Sequence, residues 1–138
     1  MDGEGGLVFE EEYWASGAPA RVSQNGIVLL APTIFEYGTE SQKDRILLTM
    51  ASGDQIWAQG WSEPCAGSDL AALRSKARTV EGGWRVSGQK TWRSLSVYAH
   101  WIFGLFRPDP DSPRPPGLPF LPLPLSAECL TWPPIPHF

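Results

Sequence analysis

Residues 39–64 read TESQKDRILLTMASGDQIWAQGWSEP, and the hydrophobic period changes within them. Thr39 followed by Gln42 has the spacing of a capping box, in which each side chain satisfies the backbone N–H of the other. Ile46, Leu47, Met50 and Ala51 then recur at helical spacing, and Gly53 can close the end, so the pattern predicts a helix over residues 40–52. Past Gly53 the helical period is lost. Residues 55–61 predict an extended segment and residues 64–68 a turn cornered by Pro64. A helix handing over to strands in one short chain points to an α+β fold.

Downstream, residues 75–80 and 84–90 predict the arms of a hairpin turning at Gly82 and Gly83. Trp84 and Val86 alternate with Arg85 and Ser87, which predicts one buried and one wet face. Residues 98–107 are more uniformly apolar and predict a central strand. Together these make three or four strands of a small antiparallel sheet or barrel. Upstream, Pro19 and Pro32 divide residues 1–38 into short helices, and Glu10 to Glu12 predict a solvated helix face. Of the 14 prolines, eleven lie at or beyond Pro108. Pro119, Pro122 and Pro124 lack ladder donors and argue against a regular central strand there. The chain therefore divides into short helices over 1–53, a β domain over 54–118 and a proline-rich, degenerate end of that domain over 119–138.

With 138 residues and 15.2 kDa, the chain fits one domain or an incomplete piece of a larger protein. Its formal charge of -4 and pI near 5.1 give no basic field to gather nucleic acid or anionic membrane. Cys65 and Cys129 stand far apart with no CxxC spacing and two His to join them, so neither zinc nor a disulfide framework is signalled, and a cytoplasmic setting is the default. The opening MDGEGGLVFEEE carries acidic residues where a signal peptide needs a positive region, and the longest apolar runs, 26–30 and 101–106, fall short of the roughly 20 residues that span a bilayer.

Two clusters could carry chemistry. In residues 59–70, QGWSEPCAGSDL, hydroxyls and small residues follow directly on an extended apolar segment. Such a loop can offer N–H groups and hydroxyls to an anionic or heteroaromatic ligand, or it can simply place Ser68 or Asp69 as the cap of a short turn through Leu73. In residues 88–94, GQKTWRS, a flat side chain stands beside a hydroxyl; Trp92 is then a ligand wall or plain packing. Ser68, Asp69 and His100 suggest a hydrolase only faintly, because G-S-D lacks the GxSxG elbow and His100 adjoins an apolar strand. The segment from Pro108 to Pro124 could serve as a polyproline interaction module, against a loop or degraded strand.

The two clusters together resemble the acyl-CoA dehydrogenase family, in its bacterial branch with Q-G-[FYW]-S-E-P-G-A-G-S-D-L-A followed some twenty residues later by N-G-Q-K-x-W-T-S. The matching residues are Gln59 to Ala71 and Ser87 to Ser94, and the likeness covers most of residues 17–118. The resemblance implies an FAD-binding middle part of an enzyme that oxidises acyl-CoA thioesters to trans-2-enoyl-CoA. It implies that Gln59, Gly60, Trp61 and Ser62 line the flavin, that Ser68 sits near the phosphates and touches the acyl-CoA, that Trp92 backs the ring, and that Arg93 and Ser94 stand at its edge. It also implies electron-transfer flavoprotein as acceptor and a homo-oligomeric full-length enzyme.

Departures accompany the match. Cys65 replaces the usual glycine of the G-A-G-S-D turn, a cost if that position needs positive φ. Arg93 stands where a small or β-branched residue is usual. No carboxylate here, Glu63 included, matches the family's catalytic glutamate, which lies in a C-terminal helical bundle; no catalytic residue is therefore expected in this chain, and little turnover by it alone. A non-catalytic remnant is the alternative.

Overall fold

The computed structural model describes residues 3–93, 95–108 and 117–131. Three helices come first: α1 (Gly3–Ala15), α2 (Ala31–Tyr37) and α3 (Glu40–Ala51). A π-type turn, Gly26–Leu30, runs directly into α2, and Pro32 sits in the first turn of α2, where its missing N–H leaves nothing unsatisfied. The predicted capping box is present: Thr39 accepts from the Gln42 N–H and the Gln42 side chain accepts from the Thr39 N–H. Glu11 and Glu12 are exposed as the acidic run predicts, while Glu10 is half-buried and pairs with Arg21, whose guanidinium also covers the rings of Phe9 and Tyr13. That contact folds the chain after α1 back onto the helix.

Six strands follow: β1 (Trp57–Gly60), β2 (Lys76–Val80), β3 (Gly83–Ser87), β4 (Trp101–Leu105), β5 (Arg107–Pro108) and β6 (Phe120–Pro124). They form two three-stranded sheets, ordered β1-β4-β6 and β3-β2-β5. The α+β class holds, and β4 is central as its apolar run requires. The sheets are mixed rather than purely antiparallel: β1 pairs parallel with β4 and β2 with β5, while β2–β3 and β4–β6 are antiparallel. Parallel pairing follows because the chain leaves β1, makes the whole β2–β3 excursion, and returns to the same end before laying down β4. No closed barrel forms among the described residues. The prolines of β6 occupy an edge, the one place in a sheet where a missing donor is tolerated.

Alternation along β1 and β4 distributes the core. Trp57, Trp101 and Phe103 share one face and meet Leu30, Ile34, Ile46 and Met50 from the helices; the Trp57 and Trp101 rings stack at 5.4 Å. Ala58 and Ile102 share the other face and meet Leu125. Phe103, fully buried, is the hub, and burying a side chain of this size contributes about 2–3 kcal/mol. Between the sheets, Ala77 packs on Phe106 and Leu121, with Val86 alongside. The hairpin's buried face is confined to this base; Trp84, further out, remains 39% exposed. Gly82, with φ +80°, supplies the turn conformation that residues with a Cβ rarely adopt.

Candidate functional site

Both clusters emerge beside the junction of the two sheets. After β1 the chain closes a tight turn in which the Glu63 N–H donates to the Ala66 carbonyl (2.7 Å) and the Ala66 N–H returns to the Glu63 carbonyl (3.1 Å). Asp69 then accepts from the Ala71 N–H and caps a single 3₁₀ turn, Leu70–Ala72. The cap reading is thus right for Asp69, while Ser68 stays exposed. The second cluster leaves β3 at Gly88. Gly88 has φ +146°, and a Cβ there would lie 2.6 Å from the Ser75 Cα, so only glycine fits.

Two links hold the clusters together. The Thr91 N–H donates to the Ser62 carbonyl (2.8 Å), and the Lys90 ammonium donates to Glu63 Oε1 (2.9 Å). Lys90 also donates to the Leu105 carbonyl (2.7 Å) and lies 5.0 Å from the centre of the Phe106 ring. Glu63 accepts further bonds from the N–H groups of Arg74 (2.7 Å) and Ser75 (3.0 Å). Both side chains of the pair are nearly dry, 10% exposed for Lys90 and 5% for Glu63. Burial pushes the Glu63 carboxyl up, but bonds from Ser75, Lys90 and the Arg74 and Ser75 backbone outweigh it and hold the group down at about 2. Glu63 is therefore a fixed anion, unsuited to take up a proton at neutral pH.

The residues singled out in the sequence fall unevenly around this junction. Gln59 is half-buried in β1, Gly60 is buried where an added Cβ would lie 2.8 Å from the Ile102 Cδ1, and Ser62 is half-buried. Trp61 is 38% exposed. Trp92 is 78% exposed and has φ +53°, a conformation that is costly for a bulky residue. Arg93 is half-buried, and Ser94 lies outside the described residues. Leu95, just beyond, is also left-handed at φ +60°. Cys65 is exposed at the tip of its turn and is not among the positive-φ residues, so replacing glycine there carries no backbone strain. Cys129 is likewise an exposed free thiol.

No described hydrogen bond joins Ser68, Asp69 and His100. Instead His100 Nδ1 accepts from the Ile56 N–H at 3.0 Å, so the histidine serves the sheet. The proline-rich segment is strand β6 from Phe120 to Pro124, and residues 109–116 lie outside the described residues. Sequence reasoning passed over the Glu63–Lys90 pair. Its signal was one charge of each sign inside two otherwise small and apolar clusters.

The junction fits a flavin. Trp61 and Trp92 offer exposed flat surface on adjoining loops, and Thr91 Oγ1, able both to donate and to accept, is buried without a partner among the described residues. Among the described residues no group of three potential metal ligands occurs, and no helix is long and apolar enough to cross a membrane.

Residues 58–137 match the family model described as acyl-CoA dehydrogenase, middle domain. Among curated proteins, the chain is 40% identical to acyl-CoA dehydrogenase IpdE1 of Mycobacterium tuberculosis over 119 residues, covering 86% of this chain and 31% of that protein. Among solved structures, it superposes on the ChsE4-ChsE5 complex from Mycobacterium tuberculosis with TM-score 0.81 and 39% identity, covering 95% of this chain and 33% of that one. A variant of the Tcur3481-Tcur3483 steroid ACAD gives TM-score 0.80 and 34% identity, with 93% and 33% covered. The chain spans about a third of the length of these relatives.

Proposed function

Because the chain belongs to the acyl-CoA dehydrogenase family, we propose that its two joined loops form one wall of the FAD site in an enzyme that oxidises an acyl-CoA thioester to the trans-2-enoyl thioester. The observation that carries this reading is Trp92: an exposed aromatic held in a strained backbone conformation, with no packing among the described residues to explain either. FAD, when bound, supplies the two-electron acceptor. Trp92 provides a flat support for the ring, Gln59, Gly60, Trp61 and Ser62 line it, Arg93 and Ser94 stand at its edge, and Ser68 approaches the phosphates and the acyl-CoA. The Glu63–Lys90 pair positions both loops without touching the reaction, and Glu63, held ionised by its three donors, is not the base. The residue that removes the α-proton belongs to a part of the enzyme outside this chain.

The steroid named for one similar structure supports a polycyclic, steroid-derived acyl group as substrate. Two similar structures bear two-protein names, which favours a second acyl-CoA dehydrogenase chain as partner beside self-association. Electron-transfer flavoprotein is the proposed acceptor and the cytoplasm the proposed compartment. Titration of the chain with FAD, read by flavin fluorescence, tests the reading. Saturable quenching that Trp92→Ala weakens about tenfold supports it; a folded chain that shows no saturable quenching sinks it and favours a remnant.

A further inference from the structure

The β3-β2-β5 sheet turns a basic face outward. In the register, Arg78 lies directly opposite Arg85 and Lys76 directly beside Arg107, so these four side chains share one face, with Ala77 and Val86 on the other. Arg74, two positions before β2, extends the same row, and all of the five except the half-buried Arg78 are exposed. Like charges facing each other across a ladder oppose folding, and none of the ion pairs among the described residues, Arg21–Glu10, Lys43–Glu40 and Lys90–Glu63, involves any of the five. An open hollow of about 470 Å³ beside the row is lined by three of these cations, Arg74, Lys76 and Arg107, and by the apolar Ala71, Ala72 and Leu73.

Helix α1 carries the complementary surface. Leu7, Glu11 and Trp14 follow one another at the i, i+4 and i+7 spacing of a single helix face, with Val8 and Glu12 along its flank, and all five are exposed. Phe9, Glu10 and Tyr13, on the other side, are the residues that Arg21 engages. Among the described residues, none from α1 belongs to the apolar clusters that make the core. Charge divides along the chain in the same sense. Residues 1–54 hold nine Asp and Glu against three Lys and Arg, and residues 55–138 hold six against eight, so the helical part is acidic and the β part basic. Both surfaces are exposed within one copy, so they can meet only between copies. We propose that α1 of one copy docks on the β3-β2-β5 face of a second copy. Leu7, Val8 and Trp14 meet the apolar side of the hollow, while Glu11 and Glu12 pair with the row of cations. The contact is head-to-tail, two different surfaces meeting, and it needs neither flavin nor substrate. It stands independently of the proposed function.

Sedimentation equilibrium of the chain at about 50 mM and about 500 mM salt tests this. The chain should self-associate at low salt, and its dissociation constant should rise about tenfold at high salt, as screening between opposite charges requires. Two charge-reversed forms, one with Glu11→Lys and Glu12→Lys and one with Arg78→Glu and Arg85→Glu, should each self-associate about tenfold more weakly than the parent. An equimolar mixture of the two should recover the parent's association, since each then offers the charge that the other's surface needs. Recovery in the mixture is a result that no misfolded variant can give. A chain that stays monomeric at about 1 mM and low salt overturns the proposal and leaves the basic face to a different acidic partner. Association that salt does not weaken overturns it as well, and so does a mixture that stays apart while circular dichroism shows both forms folded. The salt series uses the unaltered chain and decides the question by itself if either form fails to fold.

Discussion

Replacing Glu63 with glutamine removes the charge on which three donors converge. The carboxyl titrates at about 2 in the folded chain against its usual 4.5. At about 1.4 kcal/mol per pH unit, the ionised form contributes roughly 3 kcal/mol at neutral pH. The glutamine amide can place one oxygen toward Lys90 or toward the Arg74 and Ser75 N–H groups, and its own NH₂ then faces a donor. Lys90 is left with the Leu105 and Trp61 carbonyls and the Phe106 ring but no counter-charge, and removing one partner of a buried pair costs about 3–5 kcal/mol. Glu63→Gln should therefore lose about 3–4 kcal/mol at pH 7, a large share of a small domain's stability. Urea denaturation followed by the fluorescence of the seven tryptophans measures it. Lys90→Met should be similarly damaging, and the double variant should lose clearly less than the two single losses added, because no orphaned charge remains. A Glu63→Gln loss below about 1 kcal/mol, or strict additivity, would refute the claim that this pair clamps the two loops.

The same carboxylate sets an acid dependence: its contribution is complete above about 4.5 and lost as pH falls through about 2, so the gap between parent and Glu63→Gln stabilities should narrow below about pH 4.5 and close only near pH 2 in a pH series of denaturation curves. Gly88→Ala should cost about 3 kcal/mol or more, since the added carbon meets Ser75 backbone in a conformation only glycine adopts freely; a thermal midpoint within 2–3 °C of the parent would contradict the Gly88 geometry. Trp92→Gly should hold or raise stability by about 1 kcal/mol through relief of the left-handed strain, yet lower FAD affinity, a split that denaturation and flavin titration read side by side. Thr39→Ala should cost about 1 kcal/mol and loosen the first turn of α3, visible as faster amide exchange there.

How much of this could be read from the chain depends on how local each feature is. The capping box of α3 and the turn at Gly82 are set by neighbours in sequence, and the structure has both where the pattern put them. The apolar run of β4 announced a central strand, and the prolines of β6 excluded one. Strand direction was not legible, because β1 meets β4 across an excursion whose path no local pattern encodes. The two site loops were found by motif, but the clamp between them joins Glu63 to a lysine 27 positions later, and hydrophobic periodicity is blind to a buried ion pair. The strain at Trp92 was equally hidden: sequence shows an aromatic, and only the backbone shows that it is held out of its preferred conformation. The basic face went unread for the opposite reason. A negative total charge masks five cations that only the strand register brings together.

The parallel pairing of β1 with β4 also orders events during synthesis. The helix α3 and the β2–β3 hairpin can form as soon as they emerge, because their partners lie within a few residues. Residues 57–60 must wait for residues 101–104, and Ile56 for His100, which follows 44 positions later. A nascent chain arrested before His100 would carry both site loops with nothing beneath them, exposing Trp57 and the apolar faces of α2 and α3 to other chains. Codon changes or pauses in that interval should alter the yield of soluble protein while leaving the finished fold untouched.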